Sequence, residues 1–269
     1  MTVTLRVNDF SVSDFVEIAS EFGSDAYAYA VTPNVDHVIR YFDDPDFREL
    51  YRRAGYVLLD SRILSGLVKV SKGMKLLSCP GSDVTKELFD SVIHANDKVL
   101  LIGGTAGQAQ VLRDRYGLMG LRHFNPRMGF IKDGVAVEEC LRVIESESPF
   151  RFCMLAVGCP QQEILAHALH QRGRARGLAL CVGASINFLT GVERRAPVWM
   201  RRMGLEWMHR LAHNPARLAK RYLVRCPRIF LLMPRINFET IPESSVRSSS
   251  AVPSLDDGIS VPAESVGQL

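Results

Sequence analysis

A lone carboxylate closing an apolar run is the first place to look for chemistry. Tyr56-Val57-Leu58-Leu59 is such a run, and Asp60 ends it. At the carboxyl end of a buried strand, that side chain points into the crevice of an α/β sheet. There it can deprotonate a sugar hydroxyl as a general base. Position alone gives equal weight to an N-cap for the helix starting at Arg62. A second group follows Met154–Val157, where Gly158-Cys159-Pro160 breaks the run. Gln162 and Glu163 then open an amphipathic segment that reaches Arg172. Amide and carboxylate groups at a helix start hold sugar hydroxyls or phosphates, or else they cap the helix and complement its dipole.

Thr32 and Asn34 end another apolar run, and their polar side chains suit a ligand as well as a turn and cap. Asp83, in Gly81-Ser82-Asp83, and Asn125, after Leu121, occupy comparable positions as substrate contacts or caps. Gly103 and Gly104 lie between a strand and a helix, where a pyrophosphate can approach the backbone. The glycine pattern is an incomplete dinucleotide fingerprint, because Ile102 stands where the first glycine belongs and no acid follows to hold a ribose. That disfavours NAD and leaves a nucleotide diphosphate open. The seven histidines show no metal-ligand spacing, so neither a metal nor a cofactor is expected.

The elements that position these groups alternate strand and helix along the chain. The pattern predicts an α/β fold, a Rossmann-like, mostly parallel sheet with helices on both faces. It covers residues 1–192. Residues 193–238 change texture: arginines from Arg194 to Arg235 interleave with Trp199, Trp207, Leu211, Leu223 and Phe230, and Glu206 is the only acid among them. This reads as a basic amphipathic helical appendage. It suits a solvated surface, a nucleic-acid patch or an anionic membrane, and the aromatic and aliphatic residues favour the membrane. Residues 239–269, rich in Ser and Pro, read as a disordered tail.

The totals agree with a reduced cytoplasmic protein. Six cysteines form no C-x-x-C pair, and the N-terminus lacks a basic, apolar signal pattern. No apolar run approaches the ~20 residues that span a bilayer. The net charge of +4 is modest, so the basic character is local to the appendage.

Taken together, TPNVDHV, the Asp60 strand end, GSDV, LIGGTAGQ, VGCPQQE and the stretch from VGASINF to RYL resemble the WecG/TagA/CpsF glycosyltransferase family. The most specific part is RAP-x-W, then GLEW, then N-P-x-R-x-x-x-R-Y. The resemblance implies inverting, metal-independent transfer of a sugar from a UDP-sugar to a polyprenyl-diphosphate-linked saccharide, at the inner face of the membrane, in surface polysaccharide synthesis. It implies Asp60 as base and Thr32, Asn34, Gln162 and Glu163 as substrate contacts. Arg210, Arg217 and Arg221 match the family's appendage arginines. Two positions depart from the family pattern. Ser61 replaces a glycine, and Ser78 replaces an arginine for which Lys75 is a candidate substitute. The donor sugar stays open among N-acetylmannosamine, its uronic acid and glucose, as does a homo-oligomeric state. Rival readings are another Rossmann-type nucleotide-binding enzyme and a nucleic-acid-binding module using the basic appendage, although nucleic acid is not the expected partner.

Overall fold

The computed structural model describes residues 2–23 and 25–242. Eight strands are present among them: β1 (Val3–Val7), β2 (Tyr27–Val31), β3 (Tyr56–Val57), β4 (Val99–Ile102), β5 (Leu121–Phe124), β6 (Phe152–Leu155), β7 (Gly177–Cys181) and β8 (Ile236–Thr240). Six form one sheet in the order β3-β2-β7-β6-β4-β5, with every neighbouring pair parallel. A parallel sheet needs crossover helices, and these cover both faces. The burial follows: all residues of β4, β6 and β7 are buried. Alternate side chains feed opposite layers. Phe152 and Met154 of β6 join one apolar cluster, while Cys153 and Leu155 join the other. The expected α/β architecture is therefore present.

The strand order reverses in the middle of this sheet. β2 leads outward to β3, β4 leads outward to β5 on the other side, and β6 and β7 fill the gap between them. The strand ends diverge there, which leaves a crevice at their carboxyl edge.

β1 lies outside the main sheet and pairs in parallel with β8. Asn8 links the two sheets: its backbone N–H donates to the Val57 carbonyl at 2.9 Å, and its side-chain carbonyl accepts from the Val57 N–H at 2.7 Å. The segment expected to be helical to residue 238 turns into strand β8 at Ile236 instead. Its alternation explains the change, since Ile236 and Phe238 are buried while Asn237 and Glu239 are exposed, a period of two. Of the tail expected from residue 239, residues 243–269 lie outside the described residues.

The arginine-rich segment between Gly191 and β8 is a strap of short helices. Those at Val198–Arg202 and Glu206–His213 bury no residue. Leu218, Ile229, Leu232 and Met233 do pack inward.

Candidate active site

The crevice at the strand ends has a volume of about 770 Å³. Its floor comes from the sheet and its outer wall from the strap. Thr32, Asn34, Asp60, Asp83 and Gln162 line it from the first side, and Arg210, Arg217 and Arg221 from the second. Residues from five separated segments of the chain thus converge.

Asp60 lies just past β3, after Leu58 and Leu59. It does not cap the next helix, because Ser61 does that by accepting from the Leu64 N–H. Instead, Asp60 Oδ1 accepts from the Gly81 N–H at 2.8 Å. Burial pushes its carboxyl up to about 6; the Glu206 charge adds to the rise, while the Gly81 amide, Arg210 and Arg221 oppose it. A group with that value is ionised at neutral pH and basic enough to take a hydroxyl proton as the C–O bond forms. Gly81 has a second reason to lack a side chain: a Cβ there would meet Thr32 Oγ1 at 3.0 Å. The ends of β2 and β3 and the helix Gly81–Glu87 are thereby locked together.

Asn34 has two duties. It caps the helix Val35–Asp43 by accepting from the Asp36 and His37 N–H groups, and it also accepts from Arg221 Nη2 at 3.2 Å. Thr32 Oγ1 donates to the Cys181 carbonyl at 3.4 Å. Gln162 and Glu163 are buried, and neither caps the helix Gln161–Arg172. Gln162 Oε1 accepts from the Gly183 N–H at 3.0 Å, and its Nε2 donates to Glu163 Oε1 at 2.9 Å. That chain ties the turn after β6 to the turn after β7. Burial pushes the Glu163 carboxyl up, and burial also drives the His37 imidazole down to about 3.

Gly103, Gly104 and Asn125 are not brought into this crevice. Gly103 has φ of +95°, and a Cβ on it would lie 2.9 Å from the Ala156 carbonyl. The glycine is needed for the close passage of β4 beside the end of β6, and that space is already filled by protein. Gly104 faces Gln108, whose side chain forms a capping box with Thr105. Asn125 is exposed beyond the edge strand β5.

Asp83, expected as a helix cap or substrate contact, lies inside the first helical turn with both neighbouring arginines on it. Arg195 Nη2 donates to it at 2.8 Å and to Ser82 at the same distance, and Arg201 Nη1 donates at 3.3 Å. Lys75 is exposed and is not among the lining residues. Arg201 and Arg62 line that part of the crevice, and Arg195 pairs with Asp83 beside it. The signal of Arg195 and Arg201 in the sequence was the RAP-x-W stretch, which carried the family resemblance but was not read as a source of site residues. Glu206 was also missed; it lines the crevice opposite the floor.

The remaining arginines divide into two kinds. Arg217 pairs with Glu193 at 3.5 Å, Arg225 with Asp36 at 3.2 Å and Arg228 with Asp43 at 2.9 Å. Arg210 stacks on the Phe188 ring at 5.6 Å, and its buried Nε has no hydrogen-bond partner. Arg221 Nε is buried without a hydrogen-bond partner too, although it lies 3.4 Å from Asp36. Arg210 and Arg221 both line the crevice, and guanidinium groups there are donors suited to phosphate oxygens.

The chain matches the Glycosyl transferase WecG/TagA/CpsF family along residues 1–240. It is 27% identical over 195 residues to the N-acetylglucosaminyldiphosphoundecaprenol N-acetyl-beta-D-mannosaminyltransferase of Bacillus spizizenii, covering 71% of this chain and 73% of that protein. It is 23% identical over 211 residues to the protein of the same name in Bacillus subtilis, covering 77% and 80%. The Staphylococcus aureus protein of that name is 28% identical over 192 residues, covering 68% and 70%.

Proposed function

We propose, on the premise that this chain belongs to the WecG/TagA/CpsF glycosyltransferase family, that it moves an N-acetylmannosamine-type sugar from UDP to a polyprenyl-diphosphate-linked N-acetylglucosamine. The observation that carries the mechanism is Asp60, at the floor of a crevice rimmed by arginines. The acceptor hydroxyl oxygen attacks the anomeric carbon, and its proton passes to Asp60. The bond from that carbon to the diphosphate breaks, and UDP leaves with the electron pair. One displacement inverts the anomeric centre. Arg210 and Arg221 offer N–H donors to the charge that develops on the leaving diphosphate. Thr32, Asn34 and Gln162 are the polar groups placed to hold sugar hydroxyls.

The acceptor's lipid makes the bilayer surface the place of reaction. Among the described residues no helix is long and apolar enough to cross a membrane. The strap, however, exposes Trp199, Met203, Leu223, Phe230 and Leu231. Arg194, Arg202, Lys220 and Arg235 are exposed beside them. Apolar side chains among cations suit reversible docking on an anionic inner leaflet, each cation contributing about 1 kcal/mol. Arg217, Arg225 and Arg228 are engaged with acids of the protein, which makes them weaker candidates for that contact.

The test is a panel of UDP-sugars with a synthetic lipid-diphosphate-N-acetylglucosamine acceptor, read as released UDP and glycolipid product. Acceptor-dependent UDP release from UDP-N-acetylmannosamine is expected. Release from a different UDP-sugar alone would correct the donor, and no release from any would sink the reading.

A further inference from the structure

Three neighbouring side chains, His37 and Cys159 on the lining of the crevice and Glu163 behind it, belong to no step above. His37 lies on the helix Val35–Asp43, Cys159 in the turn after β6, and Glu163 in the first turn of the helix Gln161–Arg172. One ligand-type atom from each lies within 4.8 Å of the other two. His37 and Glu163 are buried, and Cys159 is partly buried.

Their hydrogen bonds leave specific atoms over. His37 Nδ1 is engaged by the Tyr51 hydroxyl at 3.1 Å, so Nε2 is the free nitrogen of that ring. Glu163 Oε1 accepts from Gln162 and the Cys159 thiol lies within hydrogen-bonding reach of the same carboxylate, while Oε2 is buried and has no hydrogen-bond partner among the described residues. A buried carboxylate oxygen without a partner is costly, more so when charged. Arg40 is the closest cation on the His37 helix; its guanidinium stacks on Phe47 at 5.5 Å, and among the described residues it forms no ion pair with Glu163.

We propose that His37, Cys159 and Glu163 form a binding site for a zinc-class divalent cation. An imidazole nitrogen, a thiolate and a carboxylate are the donor types such an ion takes, and three protein ligands leave one position open. The outer contacts have the form usual around a metal: Tyr51 fixes the imidazole ring, and Gln162 fixes the carboxylate. Binding displaces the thiol proton of Cys159 to solvent. The ion joins the helix that Asn34 caps to the turn that carries Gln162. Its role is to hold those two sugar-facing side chains at a fixed separation, not to take part in the displacement.

The site escaped sequence reading because His37 is remote in the chain from Cys159 and Glu163, so no ligand motif forms.

Cobalt(II) is the probe, since its thiolate complexes absorb in the near ultraviolet and tetrahedral coordination intensifies its visible bands. The full chain is stripped with chelator and titrated. One equivalent is expected to bind, with a thiolate-to-cobalt band that zinc bleaches. Cys159→Ser should remove the thiolate band, and Glu163→Gln should weaken cobalt affinity at least tenfold. Cys226→Ser should keep the band; it controls for the other partly exposed thiol. The wild-type titration decides even where a variant fails to fold. Absence of a saturable one-equivalent band, or its persistence in Cys159→Ser, overturns the proposal. UDP release is read separately, so failure here leaves the glycosyltransferase reading untouched.

Discussion

The two walls of the crevice are built on different physics. The floor hangs from strands that are mostly buried, and its polar groups are tied by backbone hydrogen bonds, as Asp60 is to Gly81 and Gln162 to Gly183. The strap has two helices without a buried residue, and much of its attachment is ionic: Arg195 and Arg201 on Asp83, Arg221 and Arg225 on Asp36, Arg228 on Asp43. Burial is insensitive to salt, whereas exposed ion pairs are screened by it. The floor is therefore the side held by burial, and the strap is the side whose attachment salt can weaken.

The sharpest way to break this contrast is at Asp60. Asp60→Asn keeps an oxygen for the Gly81 N–H but loses the base, so turnover is expected to fall about 10²–10⁴-fold. UDP should still raise the melting temperature as it does in the parent. The pH dependence follows from the raised carboxyl at about 6: activity is expected to fall as pH drops through that value, because the base becomes protonated. Stability has the opposite sign. The folded carboxyl holds its proton more tightly than the unfolded one, near 3.9, so the folded state loses stability as pH rises from about 4 to 6. Asp60→Asn should therefore be more stable than the parent at pH 7, by roughly 1–3 kcal/mol, with the gap closing below pH 4. Equal melting temperatures at pH 7 would show that Asp60 is not strained by burial.

On the strap side, Arg210→Ala is expected to lower turnover by about 10–100-fold, the loss of one charge-assisted donor at the leaving group. Its melting temperature should stay near that of the parent, since Arg210 makes no ion pair among the described residues and stacks only on Phe188. Normal turnover with a lowered melting temperature would assign Arg210 to packing instead.

How legible was each wall in the sequence? The floor was largely readable. Parallel strands are short apolar runs, and the residues that end them, Thr32, Asn34, Asp60 and Gln162, fall at positions fixed by the chain's own period. The exceptions come from tertiary proximity. Gly103 looked like a phosphate loop, but it serves the passage of β4 past Ala156. Asp83, read as a cap or substrate contact, lines the crevice, but nothing local showed that two arginines more than a hundred residues later pair with it. The strap was readable as basic and amphipathic but not in its attachments. Charge pairing carries no periodicity, so nothing local says that Arg225 meets Asp36 or that Ile236 begins a strand against β1.

A moderate effect is expected at Asp83. Asp83→Asn removes the acid shared by Arg195 and Arg201, whose side chains are only 18% and 22% exposed. Leaving two partly buried guanidinium groups unpaired should cost about 1–3 kcal/mol. Because the helices Val198–Arg202 and Glu206–His213 bury no residue, the loss should show as faster proteolysis between residues 193 and 213, at unchanged strand content by circular dichroism. Proteolysis like that of the parent would mean that the strap is held by its apolar contacts alone.

The smallest effect separates the strap's own ion pairs. Arg228 and Asp43 are about half exposed, at 49% and 42% of their side chains. Water screens such a pair, and ordering two long side chains offsets part of the attraction, so the pair is worth about 0–1 kcal/mol. Buried Ile229, Leu232 and Met233 follow Arg228 directly and hold this end of the strap by apolar contact. Arg228→Gln should therefore shift the melting temperature by no more than a degree or two, and added salt should erase even that. Asp83→Asn should keep most of its deficit in the same salt, because partly buried charges are screened less. A double-mutant cycle on each pair, repeated at low and high salt, measures the difference. If the Arg228–Asp43 coupling equals that of Arg195–Asp83 and resists salt as well, the strap is clamped uniformly along its length, and the contrast between a tight beginning and a loosely charged end does not hold.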